Sequence, residues 1–208
     1  MKIKIIGAGS IGNHLGHAAR NLEWDVTIVD IDPLALKRTK ESIYPSRYGE
    51  WDKNIILKNS IEEPLGDFDL ICIGTPPDSH IKLALKALEE RPSAVLIEKP
   101  LTSPDLKGCQ ELFDLSKQLS IPVFVGYDHA VSKSINKLKS EIHKINPNQF
   151  ATLDVEFREY WGGIFAAHPW LSGPKDSYLG FIKKGGGASG EHSHALHLWQ
   201  SIASFIQK

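Results

Sequence analysis

The sequence predicts an α/β fold: a doubly wound parallel sheet followed by an incomplete α+β second domain. Three observations predict it. Short β-branched runs alternate with amphipathic stretches through the first 126 residues. A glycine cluster separates the first run from the first amphipathic stretch. After Gly126 this rhythm stops.

Lys2 to Ile6 reads as a strand and ends at Gly7, Gly9 and Gly12, with Ser10 to Leu22 the helix that follows. Val26 to Val29 is a β-branched second strand. Pro33 suits the first position of the next helix, Leu34 to Ser42, because its missing N–H is not needed there. Asn54 to Lys58 and Leu70 to Ile73 are the third and fourth strands, the latter stopped by Gly74-Thr75-Pro76-Pro77. Asp78 or Ser79 is placed to cap a helix carrying Ile81, Ala84, Leu85 and Leu88 at helical spacing. Ala94 to Ile97 is the fifth strand. Pro104 to Leu119 is a helix with Leu112, Leu115 and Leu119 on one face, and Pro122 to Val125 is the sixth strand. Alternating strands and helices require a sheet covered on both faces, and right-handed crossovers make it doubly wound.

Beyond Gly126, Val131 to Ile145 reads as a helix. Phe150 to Tyr160 reads as a half-buried strand, with Leu153, Val155 and Phe157 on one side and Thr152, Asp154, Glu156 and Arg158 on the other. Trp161 to Lys184, rich in Gly, Pro and aromatics, reads mostly as loop, and Ser189 to Ile206 as a final helix. The expected division is a dinucleotide-binding domain, 1–126, and a partial substrate and catalytic α+β domain, 127–208. One strand is a poor inventory for such a domain. Its unpaired edge is expected to recruit a second copy of the chain, giving a homo-oligomer through that sheet.

The 208 residues carry 24 Lys+Arg against 25 Asp+Glu, a net charge of -1, so nothing favours nucleic acid or an anionic membrane. A hydrophobic share of 41% and a charged share of 24% are those of a globular chain. Cys72 and Cys109 cannot make a disulfide framework. No apolar run reaches the ~18–20 residues of a membrane span. With no signal-peptide pattern at Met1, the expected location is the cytoplasm.

Gly7-Ala8-Gly9-Ser10-Ile11-Gly12 fits G-x-G-x-x-G between a strand and a helix. The glycines let the backbone approach a pyrophosphate, and the helix start supplies free N–H groups and partial positive charge. Asp30 ends the second strand 18 residues beyond Gly12, near the ~20-residue offset of the acid that holds the adenosine ribose. Its charge opposes a 2′-phosphate, so NAD is expected over NADP. Asp32 is a rival for the role. The pattern marks a Rossmann sheet, and sheets that bind S-adenosylmethionine share part of it. Two further loops lie where such sheets bind ligands: Gly74 to His80, and Glu98-Lys99-Pro100-Leu101.

The glycine motif, the T-P-P-x-x-H loop and the E-K-P-L loop, in that order, resemble the N-terminal domain of the glucose-fructose oxidoreductase, inositol dehydrogenase and MocA (Gfo/Idh/MocA) family. Gly185-Gly186-Gly187 through Glu191 and His194 resembles that family's second-domain signature. The resemblance implies an NAD(P)-dependent oxidoreductase acting on a sugar, sugar derivative or cyclitol, and a chain that normally continues well past the glycine-triplet helix. It implies cofactor contacts from Gly7, Gly9, Ser10, Ile11, Gly12, Asp30, Thr75, Pro76, His80, Glu98 and Lys99, with Glu98 near the nicotinamide-side ribose and Pro100 often cis. It implies Lys99 beside the nicotinamide, His194 as acid/base and Glu191 as the signature acid.

The chemistry agrees. Alcohol oxidation needs a proton acceptor that titrates near neutrality, and a lysine can hold the developing alkoxide. Glu191 and His194, three apart, would share a helix face if one helix carried both. This spacing differs from the four-residue step of many family members. Tyr127, Trp161 and His168 are weaker substrate-contact candidates, alongside Lys99, Glu191 and His194. His192, His194 and His197 cannot converge on one unbroken helix, so no metal is expected. Two other readings stay open: a dinucleotide-binding protein without turnover, and a redox-assisted glycoside elimination.

Overall fold

The computed structural model describes residues 1–149 and 152–206. The chain divides into two compact units, Met1–Val125 and Gly126–Lys208.

The first unit is a six-stranded sheet of β1 (Lys2–Ile6), β2 (Asp25–Asp30), β3 (Ile55–Asn59), β4 (Leu70–Ile73), β5 (Ala94–Ile97) and β6 (Val123–Val125). All pairs are parallel and the order is β3-β2-β1-β4-β5-β6. This is the doubly wound Rossmann arrangement. The strands read as near-continuous apolar runs because helices cover both faces. Ile5, Ile28, Ile71, Ile73, Val95 and Ile97 are all buried, each burial contributing ~1.5–3 kcal/mol.

One face packs against α1 (Ser10–Asn21), whose Gly16 lets the helix sit close to Ile28. The other packs against α4 (His80–Glu89) and α5 (Cys109–Leu119), which supply Ala84, Leu88 and Leu112. Lys4 is the exception in the core. It is fully buried, and its ammonium donates to Glu63 at 2.8 Å, Glu90 at 2.5 Å and the Pro64 carbonyl at 3.2 Å.

Between β2 and β3, the helix read as Leu34 to Ser42 is α2 (Pro33–Arg38), a π turn at Thr39–Ile43 and α3 (Tyr44–Tyr48). Asp32 caps α2 by accepting from the Leu34 N–H at 2.9 Å. The helix expected from Pro104 begins instead at Cys109, because Leu106 (φ 54°) and Gly108 (φ 80°) adopt left-handed backbone that a helix cannot contain. Neither Asp78 nor Ser79 caps α4. A 3₁₀ turn, Pro77–Ser79, leads into it, and the Ser79 hydroxyl turns to the Pro76 carbonyl instead.

The second unit contains α6 (Lys133–Ile142), α7 (Trp161–Ala167), α8 (Gly187–Glu191) and α9 (Ser193–Ile206), joined by 3₁₀ turns. Trp161 to Lys184, expected as loop, thus holds a helix and three turns. The strand expected over 150–160 is absent from the described residues 152–160; Phe150 and Ala151 lie outside them. Alternation specifies a face but not a hydrogen-bonding partner, and the described residues of this unit supply no neighbouring strand. The α+β character expected of this unit, and the sheet through which copies were expected to associate, are therefore not found among them. No helix among the described residues is long and apolar enough to cross a membrane.

Candidate functional site

Parallel strands in register bring their carboxyl ends to one edge. Ile6 of β1 lies opposite Val29 of β2 and Ile73 of β4, and Ile73 lies opposite Ile97 of β5. The Gly7, Gly74–Thr75 and Glu98–Lys99 loops therefore leave the sheet side by side, at the point where strand order reverses between β1 and β4. Open α/β sheets bind ligands there.

The glycine loop is shaped from three directions. Gly7 has φ +111°, and a Cβ on it would lie 2.7 Å from the Gly74 carbonyl oxygen. A Cβ on Gly12 would lie 2.0 Å from the Gly7 oxygen, so α1 can approach the loop only without a side chain there. At Gly9 a Cβ would meet nothing within 4 Å, which leaves the α1 N-terminus open to a ligand. The N–H groups of this first turn have no intrahelical acceptor.

Asp30 holds the loop from β2. One carboxylate oxygen accepts the Ala8 N–H at 2.7 Å and the other accepts the Asp32 N–H at 2.8 Å. Thr39 donates to the Ala8 carbonyl at 2.5 Å and Asn13 donates to the Gly9 carbonyl at 2.8 Å, both side chains being fully buried. Asp32, the rival for the ribose, spends its side chain on the α2 cap. The residues present thus fit a dinucleotide: an open glycine turn for the pyrophosphate, and a fixed carboxylate at the end of β2 with lone pairs remaining for ribose hydroxyls.

Sequence reasoning missed Thr39, Asn13 and Arg47. The Arg47 guanidinium donates to the Ser10 hydroxyl at 2.8 Å and reaches the Ser10 carbonyl at 3.2 Å. Thr39 and Arg47 act from separate elements brought in by folding, whereas Asn13 directly follows Gly12 in α1 and reaches back to the loop from the helix's own first turns.

His80 takes a different role from the one expected. Its ring is fully buried, with Nε2 2.6 Å from the Thr75 carbonyl oxygen and Nδ1 3.0 Å from that of Pro100. It sits between two ligand-edge loops instead of facing a ligand, and the neutral ring's single N–H donates to one of the two carbonyls. Burial holds its pKa below the ordinary imidazole value, against the opposing pull of these carbonyls. Thr75 bonds the Ser79 hydroxyl at 2.7 Å. The Glu98 carboxylate accepts its neighbour's N–H, that of Lys99, at 3.1 Å, and the Lys99–Pro100 bond is cis. Pro76 is exposed, and Glu98 and Lys99 are half-buried. The Cys72 thiol under these loops is pushed up to about 12 by burial and by the nearby Glu98 charge, so it is not a nucleophile.

In the second unit the glycine triplet turns the chain into α8. A Cβ on Gly186 would lie 2.0 Å from the Tyr178 oxygen, and Gly187 has φ +76°. Glu191 ends α8, and His192 breaks the helix before α9 starts at Ser193. Glu191 and His194 therefore do not share one helix face, contrary to the reading from spacing.

The break also sends the three histidines apart. His192 accepts from Trp161 Nε1 at 3.4 Å and faces Glu159 at 3.4 Å. His197 stacks on Tyr127 with ring centres 4.1 Å apart. His194 lies edge-on to His129 at 4.4 Å and 3.8 Å from the Asp128 carboxylate. Its neighbours include Asp128 and His129, directly after Tyr127, two residues that the sequence did not single out. His168 bonds the Ile164 carbonyl of its own helix at 2.6 Å.

A family model described as "Oxidoreductase family, NAD-binding Rossmann fold" (GFO_IDH_MocA) matches residues 1–127. Among solved structures, an NAD binding oxidoreductase from Klebsiella pneumoniae superposes with a TM-score of 0.64 at 17% identity, over 97% of this chain and 53% of its own. UDP-N-acetylglucosamine 3-dehydrogenase from Acidithiobacillus ferrooxidans gives 0.55 at 20% identity, over 68% of this chain and 43% of its own. Scyllo-inositol dehydrogenase from Lactobacillus casei, with bound NAD(H) and scyllo-inositol, gives 0.53 at 17% identity, over 69% and 41%. The chain matches about half or less of each of these structures. No curated protein matches it.

Proposed function

We propose an activity for this chain, which belongs to the Gfo/Idh/MocA family of NAD-binding oxidoreductases: transfer of a hydride between NAD and a hydroxyl-bearing carbon of a sugar, sugar derivative or cyclitol. The observation that carries the cofactor half is the Asp30 carboxylate, fixed to the Ala8 N–H at 2.7 Å beside an unobstructed Gly9. The substrate class rests on the family and on the dehydrogenases that share the fold.

The roles follow from the chemistry of each group. The first-turn N–H groups of α1 bind the pyrophosphate, and Ser10 and Ile11 form that turn. Asp30 accepts the adenosine ribose hydroxyls and repels a 2′-phosphate, which favours NAD over NADP. Thr75, Pro76 and Glu98 line the nicotinamide side, held in place through His80. Bound NAD supplies the hydride acceptor or donor.

The Lys99 ammonium donates to the substrate oxygen as negative charge develops there, which stabilises the transition state more than the ground state. His194 accepts the hydroxyl proton during oxidation and returns it during reduction. Glu191 holds a substrate hydroxyl. Tyr127, Trp161 and His168 are weaker substrate contacts.

The test is NAD⁺ reduction by the full chain over a panel of sugars and cyclitols. Lys99→Ala and His194→Ala are each expected to lower turnover by ~10²–10⁴, the usual contribution of a positioned acid/base. Turnover that survives both changes overturns the roles. Cofactor binding with no turnover on any polyol leaves a dinucleotide holder. Release of an aglycone at constant NADH absorbance points to elimination instead.

A further inference from the structure

We propose that Asp128, His129 and His194 form a binding site for a divalent cation of the Zn²⁺ class. The three residues each offer a ligand atom, and these atoms all lie within 4.8 Å of one another. One Asp128 carboxylate oxygen stands 3.8 Å from Nδ1 of His194 and 4.0 Å from Nε2 of His129. Both separations are too long for a hydrogen bond. They suit a shared ion. Ligands at ~2.0–2.2 Å from zinc are themselves a little over 3 Å apart, so the two carboxylate separations close by about half an ångström, while the imidazole pair, bounded at 4.8 Å, closes by up to about 1.5 Å.

Two of the three ligands are exposed, and they are already joined locally, the Asp128 Oδ1 accepting the His129 N–H at 2.8 Å. The Asp128 side chain is 79% exposed and that of His129 48%, while that of His194 is 11% exposed and is held on α9. One largely buried imidazole with two exposed ligands makes an open site. Two imidazoles and one carboxylate select Zn²⁺ over the oxygen-seeking Mg²⁺ or Ca²⁺. Three protein ligands leave a fourth position for water or a substrate oxygen. The neighbouring pairs, His192 with Glu159 and His197 with Tyr127, direct their rings elsewhere.

The site shares His194 with the proposed acid/base and sets a condition on it. An ion on Nδ1 fixes the ring proton on Nε2, so a metal-loaded His194 has no lone pair to accept a substrate proton. Zn²⁺ at this site therefore suppresses alcohol oxidation that proceeds through His194. The binding itself depends on neither NAD nor turnover.

The experiment is calorimetric titration of Zn²⁺ into the chelator-treated full chain, without cofactor or substrate, with metal content measured after dialysis. One Zn²⁺ per chain is expected, undisplaced by excess Mg²⁺. Asp128→Asn and His129→Asn, both at exposed positions, are each expected to weaken binding by at least tenfold, and His192→Asn to leave it unchanged. Absence of stoichiometric binding overturns the site. So does binding that persists in both exposed-ligand variants, or that is lost only in His192→Asn. If Zn²⁺ binds as expected but the chelator-treated, metal-free chain oxidises no polyol, the site stands and the proposed activity falls.

Discussion

The carboxylate of Asp30 accepts the N–H of Ala8 at 2.7 Å, so the residue that ends β2 also shapes the turn that leaves β1. One side chain thereby sets the backbone offered to a pyrophosphate and the charge offered to a ribose. The chain is expected to bind NADH at least tenfold more tightly than NADPH. Asp30→Asn keeps an acceptor for Ala8 but removes the charge, and is expected to narrow that ratio while weakening NADH ~10–100-fold, the loss of one or two charge-assisted hydrogen bonds. Fluorescence titration with both cofactors checks this. Equal wild-type affinities contradict it.

Two glycines of the same loop separate folding from binding. Gly12→Ala places a methyl 2.0 Å from a backbone oxygen. It is expected to destabilise the first unit by about 1–3 kcal/mol or more, as overpacking does. Gly9 has φ −80° and open space around it, so Gly9→Ala is expected to leave the unfolding midpoint unchanged. Its methyl occupies the approach to the helix start, and NADH binding should fall. Urea unfolding and NADH titration on both variants distinguish the two effects.

His80 links stability to pH. Its folded pKa is lowered by burial, so the unfolded state binds a proton more readily than the folded one. The stabilisation is complete above the unfolded value of about 6.5 and is lost as pH falls from there towards the lowered folded value. His197, lowered by burial and then by Lys139, acts in the same direction. The difference between wild type and His80→Gln isolates His80. The variant's thermal midpoint should fall less steeply on acidification below neutrality.

Lys4 is fully buried between Glu63 and Glu90. Burial raises the Glu63 pKa, but the hydrogen bonds from Lys4 and Lys86 outweigh it and hold the carboxyl below its usual range. Lys4→Met takes the buried ammonium from two buried carboxylates, leaving Glu63 only Lys86 and Glu90 only the Gly66 N–H among the described residues, and is expected to cost ~3–5 kcal/mol. Denaturant unfolding measures it, and a loss below 1 kcal/mol would mean the carboxylates find other partners.

Much of the first unit was legible because its signals are local. Ile3, Ile5 and Val26 to Val29 mark strands buried on both faces, and each glycine stop marks a carboxyl-end loop. The start of α5 was misread because nothing in Pro104 to Gly108 announces left-handed backbone at Leu106. In the second unit, alternation from Leu153 to Phe157 specified two faces without supplying a partner strand. The break at His192 was invisible to helical spacing, and it separates Glu191 from His194. Asp128 and His129 become interesting only once folding sets them against His194, 65 positions beyond His129. Arg47 is likewise identified by where it lands, at the Ser10 hydroxyl.

Label transfer tests the central claim most directly. The full chain is given NAD⁺ and sugars or cyclitols carrying deuterium on their carbinol carbons, and the nicotinamide is analysed by mass spectrometry. The account predicts deuterium at the nicotinamide ring carbon with at least one substrate, and its loss in Lys99→Ala and His194→Ala. Label that never reaches the nicotinamide from any substrate, in a chain that binds NADH, contradicts it.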